Sequence, residues 1–142
     1  DYLPEAILLR FSGIYGPGRV LRRASIEKGE PILGDPDKWL NLIHVEDGAG
    51  AVLAAEERAP SGGTFLVSDG HPVRRRDFYR LVAELLRVKP VEFLPVPPDA
   101  TLPPHERGNR RVSDRKLREE LKVTCDFLDY LRGLPQSISE SQ

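Results

Sequence analysis

The chain has 142 residues, 39% hydrophobic and 30% charged, with 12 Gly and 13 Pro, the make-up of one folded domain and not of a collagen-like or disordered chain. Lys and Arg total 21 against 22 Asp and Glu, a net charge of -1, so no overall field draws the chain to nucleic acid or to an acidic membrane. No apolar run approaches the roughly 20 residues of a membrane span, and no charged segment leads into an apolar one at the N-terminus, which predicts a soluble, cytoplasmic protein.

Residues 6 to 12 form a nearly continuous apolar run, Ala-Ile-Leu-Leu-Arg-Phe-Ser, that enters Gly13-Ile14-Tyr15-Gly16-Pro17-Gly18. This predicts a strand buried on both faces, as in a parallel sheet, followed by a tight loop. The run begins almost at residue 1, Asp1 is no initiator and the chain has no Met, so a processed or truncated piece of a larger fold is expected. Val20 to Lys28 predicts a short helix stopping at Gly29, where a left-handed residue is favoured. After a Gly/Pro/Asp loop, Leu40 to Val45 reads as extended. Glu46 and Asp47 place negative charge at the start of a helix running to about Arg58. Gly48 and Gly50 inside that helix cost about 1 kcal/mol each against Ala, so close backbone packing is expected there. Thr64 to Ser68 predicts a second strand.

Phe78, Leu81, Val82, Leu85 and Leu86 fall on one stripe of a helix, with Arg74, Arg75, Arg76 and Arg80 around its start. Six prolines between Pro90 and Pro104 restrict Val91 to Pro98 to an edge or a loop. Ser113 reads as the cap of a helix to about Lys122, with Val112 and Leu117 forming a hydrophobic staple. Thr124 caps a last helix whose Phe127, Leu128 and Leu131 face inward and which ends at Gly133, leaving 135–142 as a frayed tail beyond a domain of 1–134. Two strands cannot stand alone, so a sheet supplied elsewhere is required.

Chemical candidates are few. Cys125, the single cysteine, cannot form an internal bridge and has no second Cys at a zinc-ligand spacing, so a small buried apolar side chain is expected. Gly13-x-x-Gly16-x-Gly18 lies where a strand meets a helix, the place for a phosphate cradle. Its glycine order departs from Gly-x-Gly-x-x-Gly and Pro17 lacks an amide. Asp35 stands 17 residues beyond Gly18, near the spacing of a ribose-binding acid, but a plain packing loop fits as well. Tyr15 and Arg19 have the spacing of a Tyr-x-x-x-Lys pair, which Gly16-Pro17-Gly18 denies the helix it needs. His44, His71 and His105 form no metal-ligand set, so no metal is expected. His44 near Asn41 suits a ligand contact and a structural hydrogen bond equally. The two basic clusters, Arg74 to Arg80 and Arg107 to Arg118, also carry acids and read as solvated faces, with no nucleic-acid partner.

Taken in order, Leu8-Leu9-Arg10-Phe11-Ser12-Gly13-Ile14-Tyr15-Gly16-Pro17-Gly18-Arg19, Asn41-Leu42-Ile43-His44-Val45-Glu46-Asp47-Gly48-Ala49, Thr64 to Gly70 and Asn109 to Leu117 resemble the C-terminal half of extended short-chain dehydrogenases/reductases, the NAD-dependent epimerase/dehydratase family. The resemblance covers nearly the whole chain. It implies an α/β chain forming the C-terminal part of a Rossmann-type fold, with the last parallel strands, covering helices and a small substrate-binding region, lacking the N-terminal nucleotide-binding half. It further implies that Ser12, Gly13, Ile14 and Tyr15 line the nicotinamide end of an NAD or NADP site, and that Arg19, Trp39, Asn41 and His44 face a small-molecule substrate.

The family's phosphate turn and catalytic Tyr-x-x-x-Lys both belong upstream of residue 1, so no catalytic residue is expected within the chain. Gly13 stands where members acting on nucleotide sugars commonly have Asn, and Leu40 where they have a diphosphate-binding Arg. Losing that cation leaves a diphosphate poorly paired, and the expected substrate is therefore not a nucleotide sugar. The reading is a fragment of an NAD(P)-dependent oxidoreductase or epimerase/dehydratase, not competent alone. Its rival is a non-catalytic NAD(P)-binding regulatory or interaction protein. The missing N-terminal half, or a second copy of the chain, is the expected protein partner.

Overall fold

The computed structural model describes residues 6–59, 62–101 and 108–140. Eight short strands and five helices lie among the described residues. The strands are β1 (Leu8–Phe11), β2 (Gly13–Tyr15), β3 (Ile32–Leu33), β4 (Trp39–Leu40), β5 (Leu42–His44), β6 (Thr64–Val67), β7 (Val73–Arg74) and β8 (Phe93–Leu94). The helices are α1 (Arg23–Glu27), α2 (Val45–Arg58), α3 (Arg75–Leu86), α4 (Arg115–Glu120) and α5 (Tyr130–Glu140).

Three ladders are parallel, β1 with β6, β2 with β5 and β3 with β8, and β4 with β7 is antiparallel. β1 and β6 are the two strands the sequence predicts, and their parallel register runs Leu8 to Thr64 through Phe11 to Val67. Burial of β1 differs from expectation. Leu9 packs inward with Phe65 and Val67, but Leu8 is 43% and Leu66 44% exposed on the other face. Alternation sends neighbouring strand residues to opposite faces, and among the described residues only one face of this ladder is covered.

Two cores result. One gathers Tyr15, Ile26, Leu42, Phe78, Tyr79, Val82 and Leu134. The other gathers Ile43, Ala51, Ala54, Ala55, Phe65, Val67, Leu117 and Leu121. β5 joins them, because its consecutive Leu42 and Ile43 are both buried and point opposite ways.

α2 begins where Glu46 and Asp47 predict and ends at Arg58. A Cβ at Gly48 would meet Phe11 Cε1 at 3.1 Å, so its bare backbone admits the Phe11 ring, whereas Gly50 faces open space. α1 is shorter than expected, since Arg22 adopts a left-handed φ of 60° just before it. α3 buries Phe78 and Val82 as predicted, together with Tyr79 and Arg75, which the stripe omits. The Pro-rich segment contributes β8, a two-residue edge, and Pro103 and Pro104 lie outside the described residues. Ser113 Oγ accepts from Arg115 N at 3.2 Å, just ahead of α4.

The C-terminal segment departs furthest from the sequence reading. Gly133 does not end a helix but sits buried inside α5, which continues to Glu140 through Pro135, so 135–140 is no frayed tail. Residues 141–142 lie outside the described part. Leu128 and Leu131, expected inward, are 41% and 58% exposed, and Leu134 takes the buried place. The reason is steric. A Cβ at Gly133 would stand 2.6 Å from Tyr15 Cζ, so α5 can lie on the Tyr15 ring only through a glycine.

Candidate functional site

Ser12 to Gly18 leaves the C-terminal end of β1, runs through β2 and turns. Gly16 N donates to Arg19 O and Arg19 N to Gly16 O, at 3.0 and 2.9 Å, so these two amides are used within the turn. A Cβ at Gly16 would fall 2.6 Å from Val45 Cγ1. The glycines therefore permit a tight loop pressed against the start of α2, which is the plain packing reading and not a phosphate cradle. Asp35 likewise does structural work: its carboxylate accepts from Asp37 N at 2.9 Å and its carbonyl accepts from Arg75 at 3.0 Å.

A cleft of about 930 Å³ opens beside this loop, walled by Phe11, Ser12, Gly13 and Ile14, by Arg19 and Leu21, by Trp39 to Leu42, and by Gly108, Arg110 and Val112. It lies beyond the C-terminal end of β1, the place where open α/β sheets bind ligands. Six of the eight sequence candidates, Ser12, Gly13, Ile14, Arg19, Trp39 and Asn41, meet on this one cleft.

Each is positioned by contacts that sequence distance conceals. Ser12 Oγ donates to Val67 O at 3.0 Å, which ties the cleft floor to β6 and leaves the hydroxyl's lone pairs available as acceptors. Gly13 N donates to Asn41 O at 2.9 Å, and a Cβ at Gly13 would come within 3.2 Å of Asn41 O. The Asn41 side chain clamps the 109–112 segment, donating from Nδ2 to Arg110 O at 2.6 Å and accepting from Val112 N at 2.7 Å. Asn109 Oδ1 accepts from Trp39 N at 2.9 Å. Arg19 Nε donates to Ile14 O at 3.2 Å. The Arg74 guanidinium lies 4.0 Å and that of Arg111 5.2 Å from the Trp39 ring centre, cation–π contacts that fix the indole.

Tyr15 and His44 are not brought to the cleft. Both are fully buried, because alternation along β2 and β5 turns them toward α5 and the segment before it. Tyr15 Oη donates to Asp129 O at 3.3 Å, and its ring meets those of His44 and Phe78 edge-on at 5.4 and 6.3 Å. Burial, with Asp69 and Asp129 nearby, pushes the phenol well above its ordinary pKa, which holds it protonated. His44 is the N-cap of α2. Its Nδ1 accepts from Glu46 N at 3.1 Å, its Nε2 pairs with Gln136 Oε1 at 2.7 Å, and its ring stacks on Phe127 at 3.8 Å. Of the two readings open for His44, the structural hydrogen bond holds.

Several residues that the sequence does not place at a site prove important. Arg110 and Val112 complete the cleft wall, and Asp47 holds the approach to α5 by accepting from Asp126 N and Phe127 N at 2.8 and 2.9 Å. Arg75, placed by sequence in a solvated basic face, is 2% exposed and caps Leu33 O at 3.1 Å. Arg76, Arg80 and Arg118 do pair with Asp37, Asp77 and Asp114. Cys125 is half-buried, and burial followed by the charge of Asp47 pushes its thiol up to about 12, so it is an inert packing group. Asp69 is 3% exposed, and its burial pushes the carboxyl up to about 7, against the lowering effect of the His71 amide. Among the described residues no group of three or more His, Cys, Asp or Glu is placed to hold a metal ion, and His105 lies outside them. Among the same residues no helix is long and apolar enough to cross a membrane.

No protein-family model matches the chain. Comparison with individual proteins does find relatives. The chain is 36% identical over 88 residues to protein YeeZ of Escherichia coli (strain K12), a match covering 61% of this chain and 30% of YeeZ. It is 37% identical over 97 residues to short-chain dehydrogenase/reductase family 42E member 1 of Homo sapiens, covering 59% of this chain and 25% of that protein. The structure of a functionally unknown conserved protein from Silicibacter pomeroyi DSS superposes with a TM-score of 0.80 at 30% identity, over 95% of this chain and 49% of that one. The dTDP-glucose 4,6-dehydratase of Bacillus anthracis, solved in complex with NAD, shares the fold at a TM-score of 0.73 and 17% identity, over 94% of this chain and 43% of the enzyme. The chain thus spans a quarter to a third of the curated relatives' length and about half of each solved structure. The architecture is the C-terminal portion of a Rossmann-type epimerase/dehydratase fold, and the likeness to extended short-chain dehydrogenases/reductases holds in sequence and in structure.

Proposed function

We propose that the chain provides the substrate-binding part of an NAD(P)-dependent oxidoreductase or epimerase/dehydratase that acts on a small molecule. The observation that carries this reading is the cleft. It gathers Ser12, Gly13, Ile14, Arg19, Trp39 and Asn41 from three separate stretches of sequence into one wall at the C-terminal end of β1.

The residues present fit one end of a dinucleotide. Ser12 keeps acceptor capacity toward a carboxamide amine, and the missing side chain of Gly13 lets the loop seat closely on Asn41 and Leu42. NAD or NADP bound there supplies hydride exchange. The chain's own contribution is to bind and orient: Ser12 to Ile14 border the cofactor's reactive end, Trp39 and Leu40 give an apolar wall to the substrate, and Asn41 locks that wall by its two hydrogen bonds. No general acid or base is assigned within these residues. That role falls to a Tyr-x-x-x-Lys pair on a companion half, as the resemblance implies. Leu40 in place of a diphosphate-binding Arg supports a substrate that is not a nucleotide sugar. The half-covered β1–β6 ladder, with Leu8 and Leu66 exposed, supports pairing with that companion half.

The test is NADH and NADPH binding by calorimetry on the protein as expressed from its gene, alongside sequencing of any upstream region. Saturable binding that Gly13→Val weakens at least tenfold, with Tyr-x-x-x-Lys upstream, supports the enzyme. Absence of nucleotide binding overturns the reading. The isolated 142-residue chain should show no NAD(P)H oxidation.

A further inference from the structure

The cleft has a charge pattern that the chain's near-neutral total hides. Among the described residues two arginines, Arg19 and Arg110, line it, and no Asp or Glu does. Arg19 uses only Nε, on Ile14 O, which leaves its two terminal amino groups as donors. Arg110 lends its backbone carbonyl to Asn41, and that bond anchors the residue at the rim without engaging the guanidinium. Behind the wall, Arg74 and Arg111 stack on Trp39 and bring two further positive charges close to the opening. By contrast, Arg76 is matched by Asp37 and Arg115 by Glu119. Phe11, Ile14, Leu21, Leu40, Leu42 and Val112 give the lining an apolar surface beside the polar Ser12 and Asn41.

We infer that the substrate is an organic anion, with a carboxylate or phosphate monoester head bound by Arg19 and Arg110 and an apolar body resting on Trp39. The inference rests on the cleft being the substrate site of the proposed function, whose class of substrate it narrows. Both head groups share the same chemistry: a small oxyanion accepting charge-assisted hydrogen bonds from planar guanidinium donors. An apolar body is needed because two exposed arginines hold a bare anion only weakly against water and salt. Arg19 and Arg110, which line the same cleft, thus take over, from other positions, the cation that is absent at Leu40.

The experiment is calorimetric titration of the protein expressed from its gene with phenyl phosphate, 3-phenylpropionate, benzyl alcohol and inorganic phosphate. Phenyl phosphate or 3-phenylpropionate should bind saturably, at least tenfold tighter than neutral benzyl alcohol and than inorganic phosphate, and the tighter of the two names the head group. Arg19→Gln and Arg110→Gln should each weaken it about tenfold, the effect of one charge-assisted contact. Arg132→Gln, an equal charge change on the exposed face of α5, should leave it unchanged. Unaltered melting temperatures confirm that the variants fold, since both cleft arginines are exposed. Equal affinity for benzyl alcohol, or equal loss in Arg132→Gln, overturns the inference. Parallel titration with NADH separates the two readings: anion binding without NADH binding retains the anion site and discards the nucleotide reading, and NADH binding without anion binding does the reverse.

Discussion

Replacing Gly133 by Ala adds one methyl group where Tyr15 already stands. The new Cβ would lie 2.6 Å from both Cε2 and Cζ of the ring and closer still to Oη, about an ångström inside ordinary van der Waals contact. The ring cannot step aside, for it is fully buried and set edge-on between His44 and Phe78. Either the ring rotates and loses the Oη bond to Asp129 O, about 1 kcal/mol, or α5 lifts from β2 and opens the core around Leu134. Overpacking of this kind costs about 1–3 kcal/mol. Ala is intrinsically better than Gly in a helix by about 1 kcal/mol, which offsets part of it. The net expectation is a loss of about 2 kcal/mol, a fall in Tm of about 6 °C for a chain of this size. Thermal unfolding followed by circular dichroism reads it directly. Tyr15→Phe removes the atom that is most crowded, so the double variant should lose less than the sum of the two single variants. A Gly133→Ala protein as stable as the parent, or more so by its helix propensity, would refute the claim that α5 is seated by this contact.

Three further expectations follow from buried polar groups. Asp69 carries a folded-state pKa of about 7, above its value of about 4 when unfolded, so its protonated form favours folding. Stability from this group is full below pH about 4, falls as pH rises toward 7 and is flat above. Asp69→Asn keeps an acceptor for His71 N and should raise Tm at pH 8 but change it little at pH 4, as paired melts at the two pH values will report. Arg75→Gln takes the guanidinium from the carbonyls of Leu33 and Asp35 and should cost about 3 kcal/mol by urea unfolding; a loss below 1 kcal/mol would place Arg75 in solvent. Asp47→Ala leaves the amides of Asp126 and Phe127 unpaired. It should cost about 2–4 kcal/mol and speed hydrogen exchange in 124–129 before elsewhere.

Much of the fold was legible because it is written locally. The apolar runs at Leu8 and Thr64, the acidic start of α2 and the stripe of Phe78 and Val82 each report a period or a cap within a few residues. Of the eight candidate residues read from the sequence, six line one cleft. Tyr15 and His44 were misplaced because a motif fixes sequence position but not the side of the strand to which a side chain turns, and that side is set by which helix covers it. Gly133 looked like a helix stop, since glycine ends helices far more often than it sits inside them. Only the Tyr15 ring, 118 residues away in sequence, makes it an interior contact.

The sequence by itself determined the α/β class, the places of the long elements and the local charge that starts α2. Tertiary structure alone decided which polar groups went inside and where positive charge gathered. Arg75 reads as a surface residue until distant backbone groups, at Leu33 and Asp35, offer it hydrogen bonds out of water. Arg19 and Arg110, 91 residues apart, share one cleft because Asn41 binds the backbone of 110 and 112 while Gly13 rests on Asn41. A net charge is a sum over the chain, but recognition depends on the charges that folding brings to one surface.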